Sequence, residues 1–153
     1  MALYLDTSAL AKLYHLEIGT LFVKGLISSG QRVYVSRLAV LEIHSVFAGK
    51  VRTGTLTHTQ AELACRRFRS DVRQRRFRIV TLRVRHYEVA GKMIAAHGVG
   101  FALRTLDSLQ VAVALELARS GLVSAIVTAD RTMLKVAAIE ALVGINPETA
   151  GAQ

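Results

Sequence analysis

Short apolar, β-branched runs alternate with longer helical patterns along this chain, and that alternation admits few folds. The runs are Ala2–Leu5, Arg32–Ser36, Arg78–Leu82, Val123–Ala129 and Leu142–Ile145. Between them, apolar spacing predicts helices over Ser8–Tyr14, Ile18–Ile27, Leu38–Val51, Thr57–Phe77, Val84–Ala96, Arg104–Ser120 and Asp130–Ala138. Gly30, Gly54, His97-Gly98 and Gly121 stand where helices stop. Strands this apolar belong to a parallel sheet covered on both faces. The expectation is a three-layer α/β/α sandwich with a four- or five-stranded, mostly parallel sheet. With 153 residues and no internal repeat, the chain reads as a single domain over 1–153.

Composition narrows the function classes. The longest stretch free of Asp, Glu, Lys and Arg is Met93–Leu103, eleven residues, too short for a membrane span. One cysteine, Cys65, excludes an intramolecular disulfide and a multi-cysteine zinc site, and a reducing cytoplasm is the expected home. Twenty Lys+Arg against eleven Asp+Glu give a net charge of +9, and fifteen of the twenty are Arg. Such a surface expects a polyanion, nucleic acid ahead of membrane.

Ligands of doubly wound sheets sit outside the carboxyl ends of the strands. Asp6 and Asp130, two of only four Asp in the chain, follow predicted strands there. Asp107 opens the Arg104–Ser120 helix, and Glu42 interrupts the apolar segment Leu38–Ile43. Each acid alone suits a helix cap or a solvated face. Together at one sheet edge, four carboxylates repel one another unless a cation joins them. An all-oxygen set favours Mg²⁺ or Mn²⁺ over zinc. A carboxylate-held metal in a cationic protein points to phosphodiester hydrolysis by a metal-activated water.

The order Leu5-Asp6-Thr7-Ser8-Ala9-Leu10, Val35-Ser36…Leu41-Glu42, Arg104-Thr105-Leu106-Asp107-Ser108-Leu109-Gln110-Val111-Ala112 and Val127-Thr128-Ala129-Asp130…Leu134 resembles a PIN domain. It is most similar to the VapC-type toxin ribonucleases of toxin–antitoxin pairs, and Gly144-Ile145-Asn146-Pro147 resembles that group's ending. The resemblance implies a Mg²⁺- or Mn²⁺-dependent endoribonuclease with an RNA substrate and a cognate antitoxin; a homodimer is the expected assembly. It implies Asp6, Glu42, Asp107 and Asp130 as the catalytic, metal-holding quartet. Ser8 and Thr128 match positions that carry a hydroxyl near the metal.

Nine Arg fall within Arg66–Arg85, where Asp71 is the only acid. Arg66, Arg69, Arg73 and Arg76 follow i, i+3, i+7, i+10, one stripe on one helix. The stripe serves RNA phosphates or an acidic antitoxin, with the antitoxin favoured of the two, or is simply a solvated helix face. His15, His44, His58, His86 and His97 show no ligand spacing. The competing class is a non-catalytic RNA-binding module of the same fold. A haloacid-dehalogenase-type phosphatase needs a second Asp two residues after the first, where this chain has Ser8.

Overall fold

The computed structural model describes residues 2–150. In chain order the elements are β1 (Leu3–Leu5), α1 (Thr7–Ala11), α2 (Thr20–Ser28), β2 (Val33–Ser36), α3 (Arg37–Arg52), α4 (His58–Arg73), β3 (Arg78–Val80), α5 (Val84–Phe101), α6 (Thr105–Arg119), β4 (Ala125–Val127), α7 (Arg131–Ile139) and β5 (Gly144–Ile145). The five strands form one sheet in the order β3-β2-β1-β4-β5, and every pairing is parallel. The expected α/β/α sandwich is present, with five strands and no antiparallel member. Among the described residues no helix is long and apolar enough to cross a membrane.

Strand alternation divides the core. Leu3, Leu5, Val33, Val35, Ala125 and Val127 pack with α1, α2, α3 and α4 on one face. Tyr4 and Ile126 point the other way, into a cluster built from α5, α6 and α7. Helix α6 is buried from Ser108 through Leu115 and again at Leu117, so it is the most enclosed helix of its layer. Phe68 of α4 is fully buried between Tyr14, 5.6 Å away edge-on, and Phe77 at 6.4 Å.

Strand ends become helix starts by side-chain capping. The side chains of Asp6, Ser36 and Asp130 accept from the backbone N–H of Ala9, Ala39 and Met133, opening α1, α3 and α7. Thr57 and Gln60 form a reciprocal capping box at α4. The chain runs β1, β2, β3 to one side, then returns to lay β4 and β5 on the other side of β1. The strand order therefore reverses at β1, which places a crevice at the carboxyl ends of β1 and β4.

Two helix ends differ most from the sequence reading. Helix α5 passes His97-Gly98 and Gly100 and ends at Phe101, with Ala102 left-handed at φ 53. His97 is held there by the Phe101 ring, 6.1 Å away, and by Glu140 at 3.5 Å, contacts with partners that glycine punctuation does not register. Helix α4 stops at Arg73, and Arg75 adopts φ 56 just beyond it. Arg76 therefore leaves the predicted arginine stripe and pairs with Asp71 at 3.0 Å.

Gly19, at φ +85, lies against the segment after β5: a Cβ there would stand 2.8 Å from the Pro147 carbonyl oxygen. Gly25, inside α2, has open space around it. Gly19→Ala is expected to destabilise the protein by about 1–3 kcal/mol, whereas Gly25→Ala stabilises it by about 0.5–1 kcal/mol. Urea unfolding of both variants checks the opposite signs.

Candidate metal centre

The crevice at β1 and β4 is a cleft of about 420 Å³ lined by Asp6, Glu42, Asp107 and Asp130 together with Ser8 and Lys12. The structure thus brings the four predicted carboxylates to one cavity from four different elements. The arginines of the predicted stripe do not reach it.

Asp6 sits deepest, 4% exposed at the end of the central strand. Its Oδ1 accepts from the Ala9 amide at 2.9 Å and from Ser8 Oγ at 2.8 Å. Thr128 Oγ1 donates to Oδ2 at 2.9 Å. Burial pushes the Asp6 pKa up to about 6 in spite of these donors. Ser8 and Thr128 also join the two strand ends, since Ser8 accepts from the Ala129 amide at 2.9 Å and Thr128 donates to Asp6; Thr128 in turn accepts from the nearby Asp130 amide at 3.0 Å.

Glu42 is fixed by two donors to one oxygen, Thr7 Oγ1 and Gln110 Nε2, each at 2.6 Å. Gln110 Nε2 also donates to Thr7 Oγ1 at 3.0 Å. Its carbonyl oxygen accepts from the Tyr4 hydroxyl and from Ser36 Oγ at 2.9 Å. Burial raises the Tyr4 pKa, which keeps its hydroxyl a donor. A fully satisfied amide in a dry core holds Glu42 in one orientation. Among the described residues the second Glu42 oxygen accepts no hydrogen bond and is left for the cleft.

Asp107 and Asp130 share a cation. Arg104 Nε donates to Asp107 Oδ2 at 2.8 Å, and Arg104 Nη2 stands 3.6 Å from Asp130 Oδ2. The hydrogen bond and charge of Asp107, with the charges of Asp130 and Glu42, raise the guanidinium pKa against a smaller opposing effect of burial. Asp130 Oδ1 meanwhile caps α7 through Met133 N at 2.9 Å.

The far end of the cleft is a chain of ion pairs. Lys12, only 3% exposed, donates to Glu148 at 2.8 Å, to the Ile18 carbonyl at 2.9 Å and to Glu17 at 3.2 Å. Lys50 pairs with the other Glu17 oxygen. Burial works against the Glu17 charge, but Lys50 and Lys12 outweigh it and hold that carboxyl below the ordinary range.

Sequence reasoning missed Thr7, Gln110, Lys12 and the cleft role of Arg104. A signal existed for two of them. Gln110 is a lone amide in the otherwise apolar run Leu109–Leu115, and Lys12 interrupts Ala9–Leu13.

A hard divalent cation fits this donor set: carboxylate oxygens, adjacent hydroxyls and no sulfur or imidazole. Among the described residues no three acidic, His or Cys side chains converge tightly enough to enclose an ion in this arrangement. Arg104 supplies a positive charge between Asp107 and Asp130 instead. A cleft whose carboxylates already draw a guanidinium has the electrostatic demand that such a cation meets.

The fold is thus a parallel α/β sheet with an acidic cleft at its switch point. The PIN domain family model matches residues 3–139, and the chain belongs to that family. No curated protein sequence matches it. Among solved structures it is similar to FitAcB from Neisseria gonorrhoeae, with TM-score 0.64 and 14% identity over 95% of this chain and 97% of that one. PAE2754 from Pyrobaculum aerophilum gives TM-score 0.59 and 16% identity over 100% and 91%. The Mycobacterium tuberculosis VapC20 toxin, which cleaves the sarcin-ricin loop, gives TM-score 0.59 and 19% identity over 82% and 87%.

The Asp6 carboxyl binds its proton more tightly in the folded state, with a pKa of about 6 against 3.8 for the free side chain. Its contribution therefore favours folding below about pH 4 and is lost as pH rises through about 6. The loss amounts to about 3 kcal/mol. Asp6→Asn keeps the α1 cap but carries no charge. In chelator it is expected to match wild type at pH 3.5 and to exceed it by about 2–3 kcal/mol at pH 8. Denaturant unfolding across that range measures the difference, and Mg²⁺ should narrow it by stabilising wild type alone.

Proposed function

We propose that this protein is a Mg²⁺- or Mn²⁺-dependent endoribonuclease and the toxin of a toxin–antitoxin pair, acting in the cytoplasm. The observation that carries the reading is the meeting of Asp6, Glu42, Asp107 and Asp130 in one cleft of a strongly basic PIN chain. A bound divalent ion would supply a water deprotonated near neutral pH and charge to offset the phosphate oxygens. Asp6 would anchor that ion from the floor, held in place by Ser8 and Thr128. Glu42, aimed by Gln110 and Thr7, would take a second side, with Asp107 and Asp130 closing the mouth. The toxin among the structural neighbours that cleaves the sarcin-ricin loop supports RNA as the substrate.

The antitoxin is assigned to a second groove, about 600 Å³, between α3 and α4. Phe47, Val51 and Cys65 give it an apolar floor, and Arg52, Arg66 and Arg69 a basic rim that outnumbers its one acid, Glu62. An acidic amphipathic segment fits that combination. Arg73 lies exposed in the last turn of the same helix, and Arg76 is committed to Asp71. A homodimer belongs to the same proposal, with Leu41 and Leu106 as exposed apolar surface beside the acids Glu42 and Asp107.

Purified protein, free of antitoxin, is expected to cleave single-stranded RNA with Mg²⁺ or Mn²⁺ and to be inactive in excess chelator. Asp6→Asn should lower the rate by roughly two orders of magnitude or more, since the anchoring charge is gone. Cleavage that persists in chelator defeats the proposal. RNA bound but never cut, with metal present, selects the non-catalytic RNA-binding module instead.

Replacing Arg66 and Arg69 with Gln separates the two uses of the arginine stripe. Antitoxin affinity is expected to fall roughly tenfold or more. RNA binding, measured in the Asp6→Asn background, should keep its salt dependence. A log–log slope reduced by about 0.7 for each arginine would assign the rim to RNA phosphates.

A further inference from the structure

Arg104 is positioned unlike an ordinary surface arginine. It precedes α6 at the N-cap position, where a cation opposes the positive end of the helix dipole. Its side chain is 75% exposed, yet it spans two carboxylates from different elements, Asp107 of α6 and the α7 cap Asp130. An i,i+3 pair with Asp107 needs no such reach. Three of the four cleft acids act on this one guanidinium. Its hold is also weak by construction, because an exposed monovalent pair is screened by water and salt.

We propose that Arg104 is an exchangeable counter-cation of the acidic cleft. It occupies Asp107 and Asp130 when the cleft holds no divalent ion, competes there with such an ion, and serves an RNA phosphate once freed. This deepens the ribonuclease reading and rests on it for the phosphate contact. The competition itself depends only on the carboxylates and Arg104. A doubly charged ion outbids a screened guanidinium for the same oxygens. The planar fork of donors left at the mouth of the cleft matches a phosphate's oxygens. Arg104 is thus a positioning residue that lowers resting affinity for the ion and raises affinity for the substrate. The two effects have opposite signs, and a residue that merely supports the loop before α6 would weaken both.

The test uses the full chain with Arg104→Gln and Arg104→Lys. Mn²⁺ alone is titrated into each protein, and the free ion is followed by electron paramagnetic resonance. Arg104→Gln is expected to bind Mn²⁺ roughly tenfold more tightly than wild type, and Arg104→Lys to stay close to wild type. At saturating Mn²⁺, the KM for a mixed-sequence single-stranded RNA oligonucleotide should rise in Arg104→Gln and recover largely in Arg104→Lys. Mn²⁺ affinity that is unchanged or weaker in Arg104→Gln overturns the proposal, as does a KM that does not move. If no variant cleaves RNA while the Mn²⁺ affinities still diverge, the ribonuclease reading fails and the counter-cation role stands. If wild type and variants bind no Mn²⁺, both fail. Thermal unfolding in chelator, expected to be nearly unchanged for so exposed a side chain, shows that the variants are folded.

Discussion

The amide of Gln110 is the point on which the site depends. From one position on the most enclosed helix of its layer it accepts from Tyr4 of β1 and Ser36 of β2 and donates to Thr7 of α1 and Glu42 of α3. Five elements are joined through one side chain. In a dry core, each of those groups would be costly without its partner, so the network is held complete or not at all. The consequence reaches the surface of the cleft, where Glu42 presents one oxygen in a direction set from beneath.

A second economy lies in the strand-to-helix turns. Asp6 and Asp130 cap the helices that follow them and line the cleft with the same carboxyl groups. The bland reading of such residues as caps and the functional reading as cleft acids both hold, because a carboxylate has enough lone pairs for both. The cost appears at Asp6, where burial opposes ionisation even with Ser8, Thr128 and the Ala9 amide donating. Stability is given up at the position where a cation is most strongly demanded, the usual relation between a site and its scaffold.

The two charged features of the molecule, one basic and one acidic, are physically separate. The arginine-rimmed groove lies between α3 and α4, and the acidic cleft lies at the strand ends, with α3 contributing to both. Glu42 and Phe47 sit on different faces of that helix. The net charge of +9 is therefore not a single field around the site. One guanidinium, Arg104, stands at the cleft, while Arg66 and Arg69 stand beside an apolar floor.

By itself the sequence determined the layer architecture, the parallel sheet and the four acids. These follow from local signals: apolar runs of strand length, helical spacing between them, carboxylates at strand ends and a helix start, and one acid, Glu42, interrupting an apolar segment. It also marked Ser8 and Thr128, through their likeness to a known pattern. Tertiary structure decided where α5 ends, because the contact of His97 with Glu140 joins residues that periodicity cannot pair, while α4 ends at a local turn where Arg76 folds back onto Asp71. It alone showed that Arg104 bridges Asp107 and Asp130, that Lys12 is buried against Glu148, and that Gln110 orients Glu42. Periodicity reports which face a residue occupies, whereas a hydrogen bond or ion pair depends on which residue 68 or 136 positions away the fold places opposite it.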